Sequence, residues 1–113
     1  MGLNFSHCEA RWSYSGFNRF RDRLANELGF SIYEMRGFGG TRIFSEINDD
    51  IIPLLDHSDC DGSLTPDECA KVAPRLRELV KGWSDEDYDK VKALDLAEGM
   101  ELAASHGEEL EFQ

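Results

Sequence analysis

The chain has 113 residues, 41% of them hydrophobic, and a net charge of −11 at pH 7. This length predicts a single domain over residues 1–113, and the acidic balance argues against direct binding to nucleic-acid phosphates. The chain has no run of about 18 apolar residues, the length needed to cross a bilayer. Residues 1–8 lack the basic and apolar regions of a signal peptide. We therefore expect a cytoplasmic protein without membrane contact, in which Cys8, Cys60 and Cys69 are reduced.

The N-terminal half predicts two short strands around one helix. Residues 3–7 alternate apolar and polar side chains, as a short strand does. The following helix ends at Gly29 and has an apolar stripe at spacings of three and four, formed by Phe17, Phe20, Leu24 and Leu28. Residues 30–35 indicate a second strand. The Gly37–Gly40 segment is a loop without the Gly-Lys-Ser/Thr of a phosphate-binding loop.

Three helices are predicted in the C-terminal half. A short one covers residues 51–55. Residues 65–68 read Thr-Pro-Asp-Glu, a complete capping box for a helix that runs to about residue 81. Pro74 should kink or restart that helix, because it removes a backbone hydrogen bond. The last helix extends from Ser84 to a stop at His106-Gly107.

The chain ends in residues 109–113, which alternate like a strand and can pair with residues 3–7. The fold class is therefore α+β, mostly α-helical, with about four helices and a small terminal β-sheet.

The segment from Asp56 to Glu68, called the Asp-rich loop below, is the part of the sequence that most clearly resembles a ligand-binding site. Asp59, Asp61 and Glu68 supply carboxylates, and Gly62 allows a sharp bend between them. Hard cations need about six to eight oxygen ligands, so several carboxylates must converge from a short stretch of backbone. The pattern resembles a single, variant calcium loop of an EF-hand, within a helix-loop-helix over about residues 50–81. This resemblance implies Ca²⁺ as the ligand.

Two registers fit the resemblance. With His57 first, the loop has the usual length but a histidine where the pattern has aspartate. With Asp56 first, the loop is one residue longer, and the apolar residues of the preceding helix fall in register. We favour the second register, whose ligands are the side chains of Asp56, Asp59, Asp61 and Glu68 and the backbone carbonyl of Ser63. Leu64 then stands where the family keeps an apolar residue for pairing with a second loop, and no second loop is recognisable here.

Other interpretations of the loop stay open. His57 with Asp61, Cys60 or the distant His7 and Cys8 could hold a transition metal such as Zn²⁺, although no cysteine pair has zinc-finger spacing. Asp, Ser and Gly also form rigid turns without any metal. Residues 57–62 are similar to the first motif of the DHH phosphoesterases as well. No Asp-His-His follows, however, so two-metal catalysis lacks its further ligands.

Several short motifs stand out along the whole chain: Met1-Gly2-Leu3, Ser6-His7, Tyr14-Ser15-Gly16-Phe17, Phe20-Arg21 and the run from His57 to Gly62. Together they resemble small proteins of actinobacteria and their phages, which implies a bacterial or phage protein but no activity. Residues 1–6 also fit the N-myristoylation pattern, with Cys8 as a second lipid site. A eukaryotic acylated calcium switch would, however, need paired EF-hands.

We expect a non-enzymatic, metal-binding interaction module, because the sequence shows no recognisable combination of a catalytic nucleophile with a general base. Cys60 lies near His57 but is flanked by Asp59 and Asp61, which makes it a poor candidate nucleophile. A second hypothesis starts from charge, since residues 46–113 hold six basic and nineteen acidic residues. The carboxylates of residues 85–89 and 108–111 would then stand in for phosphates and bind a basic surface of a host protein. In either case the partner is an unknown protein, and a homodimer is an alternative assembly.

Overall fold

The computed structural model describes residues 2–113 and is mostly helical, which confirms the α+β prediction. Three helices are long: α1 (Tyr14–Glu27), α3 (Pro66–Val80) and α4 (Tyr88–Ser105). A short α2 (Ile52–Leu55) precedes the Asp-rich loop. Four two-residue strands complete the fold: β1 (Leu3–Asn4), β2 (Arg11–Trp12), β3 (Ser63–Leu64) and β4 (Leu110–Glu111).

Helix α1 begins after Ser13, which caps it, and buries three of the four residues of the predicted stripe, while Leu28 follows the helix and is half-buried. The Ser13 hydroxyl accepts a hydrogen bond from the Gly16 amide at 3.0 Å, which satisfies one of the free donors at the helix start. Phe17, Phe20 and Leu24 are fully buried. Because the ring of Trp12 stacks on Phe20 at 4.7 Å, strand β2 is anchored directly on this helix.

Helices α3 and α4 form the main helical pair of the core. Helix α3 is one continuous helix, so the predicted restart at Pro74 does not occur. Pro74 and Ala70 are both exposed, and water can therefore bond to the Ala70 carbonyl that the missing proline N–H leaves free. Helix α4 begins at Tyr88 rather than after Ser84, because Asp87 is its cap and accepts from the Asp89 amide at 2.9 Å.

The two chain ends meet in a small antiparallel arrangement. Strand β1 pairs with β2, and β3 pairs with β4. A bridge between Phe5 and Phe112 joins the two pairs. The expected pairing of residues 109–113 with residues 3–7 is thus limited to this bridge, and two small sheets replace the single predicted one. The segment Glu109–Gln113, called the tail below, lies between the N-terminal strand and the Asp-rich loop.

The predicted strand over residues 30–35 is wrong. Ile32–Glu34 form a 3₁₀ turn, in which Ser31 and Glu34 cap each other. The Asp22 carboxylate also accepts from the Ile32 amide at 2.8 Å. These local bonds satisfy the backbone donors that a strand would have paired with a neighbour.

In residues 2–113, no helix is both long enough and apolar enough to span a bilayer.

Candidate functional site

The second half of the Asp-rich loop has the local geometry that its sequence predicts. Gly62 has φ +89°, a left-handed conformation that favours glycine. The Thr65 hydroxyl accepts from the Glu68 amide at 3.1 Å, and the Glu68 carboxylate accepts from the Thr65 amide at 2.9 Å. This reciprocal pair starts α3, and it engages one oxygen of the carboxylate that we predict as a cation ligand.

Strand β3 within this loop pairs with the tail. Leu64 lies opposite Leu110, and both side chains are buried. The Ser63 hydroxyl donates to the Glu109 carboxylate at 2.6 Å. The tail therefore takes the pairing role that the EF-hand resemblance assigns to a second loop.

His57 lies inside the loop and contacts its backbone. Its Nε2 atom is 3.0 Å from the Ser63 carbonyl oxygen, and its Nδ1 atom is 2.9 Å from the Ser58 carbonyl oxygen. A neutral imidazole can donate only one of these two bonds, whereas an imidazolium donates both. The ring also stacks on Phe112 at 3.8 Å, so His57 connects the loop to the tail.

Arg21 reaches the loop from α1 and is 1% exposed. Its Nη1 atom donates to the carbonyl oxygens of His57 at 2.6 Å and Leu55 at 3.2 Å, at the end of α2. Its guanidinium lies 4.6 Å from the Phe17 ring and 4.8 Å from the Phe38 ring. Burial lowers the pKa of Arg21 to about 10, although the charges of Asp59 and Asp56 oppose that change. A buried cation thus holds the first half of the loop.

Sequence reasoning missed Arg21. Its position in the sequence does indicate burial. Arg21 follows Phe17 by four residues and precedes Leu24 by three, which places it on the buried face of α1.

The three aspartates of the loop are free of ion pairs. Among residues 2–113, Asp56, Asp59 and Asp61 have no basic nitrogen within 4.0 Å. The hydrogen bond that Asp59 makes in this range is long, 3.5 Å from the side-chain amide nitrogen of Asn18. In the described part of the chain, no group of three or more His, Cys, Asp or Glu side chains is arranged to hold a metal ion. The ligand set for Ca²⁺ therefore stays a prediction.

The alternative transition-metal ligands His7, Cys60 and Cys8 differ in their burial and in their hydrogen-bond partners. His7 is in the terminal sheet region, where its Nδ1 lies 2.6 Å from the Ser6 hydroxyl oxygen and its Nε2 lies 3.0 Å from the Glu108 carboxylate. Cys60 is an exposed thiol 3.4 Å from the Ser58 hydroxyl. Burial raises the pKa of Cys8 to about 11, which disfavours a thiolate ligand there. All three cysteines are free thiols, as expected.

Within residues 2–113, two cations pair with the four carboxylates at residues 85–89 and neutralise half of their charge. Arg23 contacts Asp87 at 2.7 Å and Asp89 at 2.9 Å. Lys90 contacts Asp85 at 2.7 Å. Three of these carboxylates therefore have partners within the chain, which weakens the idea that they stand in for phosphates.

A cleft of about 480 Å³ lies beside the Asp-rich loop. The loop forms one wall, and α1 and the segment around Arg36 form the others. Its lining consists of Asn18, Arg21, Tyr33, Arg36, Gly37, Phe38, Asp56, His57, Ser58 and Asp59. A more apolar cleft of about 470 Å³ continues from Arg36, Gly37 and Asp56 towards Ile43 and Phe44. Clefts of this size hold small molecules or side chains of a partner.

Comparison of the chain with protein-family models, with curated proteins and with solved structures finds no match. The EF-hand resemblance and the resemblance to actinobacterial and phage proteins thus stay predictions.

Proposed function

We propose that this protein is a small, acidic, non-enzymatic interaction module whose Asp-rich loop binds a hard divalent cation, Ca²⁺ in preference to Mg²⁺. The observation that carries the proposal is that Asp56, Asp59 and Asp61 have no cationic partner within 4.0 Å in residues 2–113. Three carboxylates so close in sequence repel one another, and a divalent cation relieves that repulsion.

The preformed second half of the loop supports the proposal. Gly62 already has its left-handed conformation, and Leu64 is already fixed against Leu110. The loop therefore loses less conformational entropy on binding than a loop without these contacts would. Ca²⁺ is favoured over Mg²⁺ because Ca²⁺ accepts irregular sets of six to eight oxygens, whereas Mg²⁺ demands a near-ideal octahedron.

Two contacts compete with the cation. The Ser63 carbonyl accepts a hydrogen bond from His57, and the Glu68 carboxylate accepts one from the Thr65 amide. The ion must weaken both bonds to take these oxygens. We therefore expect a dissociation constant of about 0.1 to 1 mM, in the range of the weakest natural calcium modules.

Calorimetric titration of the metal-free protein tests the proposal. We expect one Ca²⁺ per chain, with binding weakened about tenfold or more by Asp61→Asn and by Glu68→Gln, because each removes a charged ligand. Asp67→Asn is the matched control, since Asp67 is exposed and outside the ligand set. A lack of response at about 10 mM Ca²⁺, well above the weakest expected dissociation constant, would remove calcium as the ligand.

A further inference from the structure

The cleft beside the Asp-rich loop is lined by charges of both signs. Asp56 and Asp59 belong to the loop, and Arg36 belongs to a different lining segment. Within residues 2–113, none of these three side chains has an oppositely charged group within 4.0 Å. Their charges are therefore available to a molecule that enters the cleft.

Arg21, which also lines the cleft, is committed to the protein's own backbone. Its Nη1 and Nη2 atoms donate to carbonyl groups and to Asn18, and it is buried. Its Nε atom has no hydrogen-bond partner in the described residues. Because this guanidinium contacts no carboxylate directly, the oxygens of Asp56 and Asp59 keep their hydrogen-bonding capacity for another cation.

We propose that the cleft binds a ligand in which a guanidinium group stands a few bonds from a carboxylate, the chemistry of arginine or of a C-terminal arginine residue. The guanidinium pairs with Asp56 and Asp59, and the ligand's carboxylate pairs with Arg36. Both pairings can be bidentate between planar groups.

The exposed Tyr33 ring of the cleft favours guanidinium over ammonium. Tyr33 lines the cleft and is 49% exposed, whereas the Phe38 ring already has the Arg21 guanidinium 4.8 Å from its centre. A guanidinium can stack flat on such rings while its edge donates to carboxylates, and an ammonium group cannot combine the two. The volume of about 480 Å³ lies within the range of natural small-ligand sites.

The proposal shares Asp56 and Asp59 with the proposed cation site, but it needs no metal ion. The titrations are therefore run in the presence of EDTA, which removes divalent cations. Two-dimensional NMR follows the amide resonances of the protein. The probes are L-arginine, L-citrulline, L-argininamide and Nα-acetyl-L-arginine. Citrulline replaces the guanidinium with a neutral urea of the same shape, and argininamide removes the carboxylate.

We expect L-arginine to shift the resonances of cleft residues, and citrulline and argininamide each to bind about tenfold or more weakly, since each loses one charge-assisted pairing. Nα-acetyl-L-arginine distinguishes free arginine from a C-terminal arginine residue of a peptide. If it binds as well as L-arginine, the ligand is a peptide C-terminus; if it does not, the ligand is the free amino acid. Equal binding of citrulline and L-arginine, or no shifts with L-arginine at about 10 mM, overturns the proposal.

Variants distinguish this site from the cation site. Arg36→Gln should remove the preference for L-arginine over argininamide and leave Ca²⁺ binding unchanged. Asp61→Asn should weaken Ca²⁺ binding and leave L-arginine binding unchanged. Asp67→Asn, outside the cleft, should change neither. If Arg36→Gln leaves the preference for L-arginine intact, the assigned carboxylate contact is wrong.

Discussion

The Nε2 atom of His57 lies 3.0 Å from the carbonyl oxygen of Ser63. The histidine at the start of the loop thus contacts the backbone oxygen that the favoured register assigns to the cation. In the alternative register, which places His57 first, both residues would contact the ion. Here they contact each other, so the loop keeps its closed form through a hydrogen bond.

His57→Asp should raise the affinity for Ca²⁺ by about tenfold or more, because it removes the competing donor to Ser63 and adds a negative charge beside Asp56, the first ligand of the favoured register. The metal-free variant should be less stable, since stacking on Phe112 is lost. Calorimetry and urea unfolding measure the two effects. His106→Asp is the control for added negative charge, because His106 is exposed and outside the loop. An unchanged affinity in His57→Asp would show that the contact between His57 and Ser63 does not compete with the cation.

Asp56→Asn separates the two registers of the loop. If Asp56 is the first ligand of a loop one residue longer than usual, this change should weaken Ca²⁺ binding about tenfold, as much as Asp61→Asn does. The favoured register predicts that result. Retained affinity in Asp56→Asn, measured beside Asp61→Asn under the same conditions, would instead place His57 first.

Arg21→Met should destabilise the protein by about 2–4 kcal/mol. The variant keeps much of the buried side chain but leaves the carbonyls of Leu55 and His57 without their donor, and a buried acceptor without a partner is costly. Urea unfolding measures the free energy of unfolding. Arg19→Met, on the exposed side of α1, should change it little. A loss as small as that of the control would mean that water replaces the guanidinium at these carbonyls.

Protonation of Asp87 should lower the free energy of unfolding in acid. The hydrogen bond from Arg23 lowers the pKa of Asp87 from 3.8 to about 2, against a smaller effect of burial. A carboxylate with a lowered pKa in the folded state stabilises the protein above its unfolded pKa, and that contribution is lost as pH falls from about 4 to about 2. The urea midpoint of Asp87→Asn should therefore change less over this range than that of the natural protein. Identical slopes for both would contradict the assignment, and Asp67→Asn serves as the control.

Local patterns made much of this fold predictable. Ser13, Thr65 and Glu68 act within one helical turn, so their capping roles follow from neighbouring residues. The prediction over residues 30–35 failed because Asp22, from α1, caps that turn. The roles of His57 and Arg21 depend on Phe112 and on the end of α2. The spacing of Arg21 from Phe17 and Leu24 indicates that it is buried, but its partners and those of His57 lie in segments distant in sequence, which local patterns do not identify.

Equilibrium dialysis of the natural protein against about 5 mM CaCl₂, followed by elemental analysis, tests the central claim most directly. At this concentration a site with the expected affinity is mostly filled, so we predict close to one calcium per chain and close to none in the double variant Asp61→Asn, Glu68→Gln. Calcium below a tenth of an equivalent per natural chain, or equal calcium in the natural protein and the double variant, would contradict the assignment of the Asp-rich loop as a cation site.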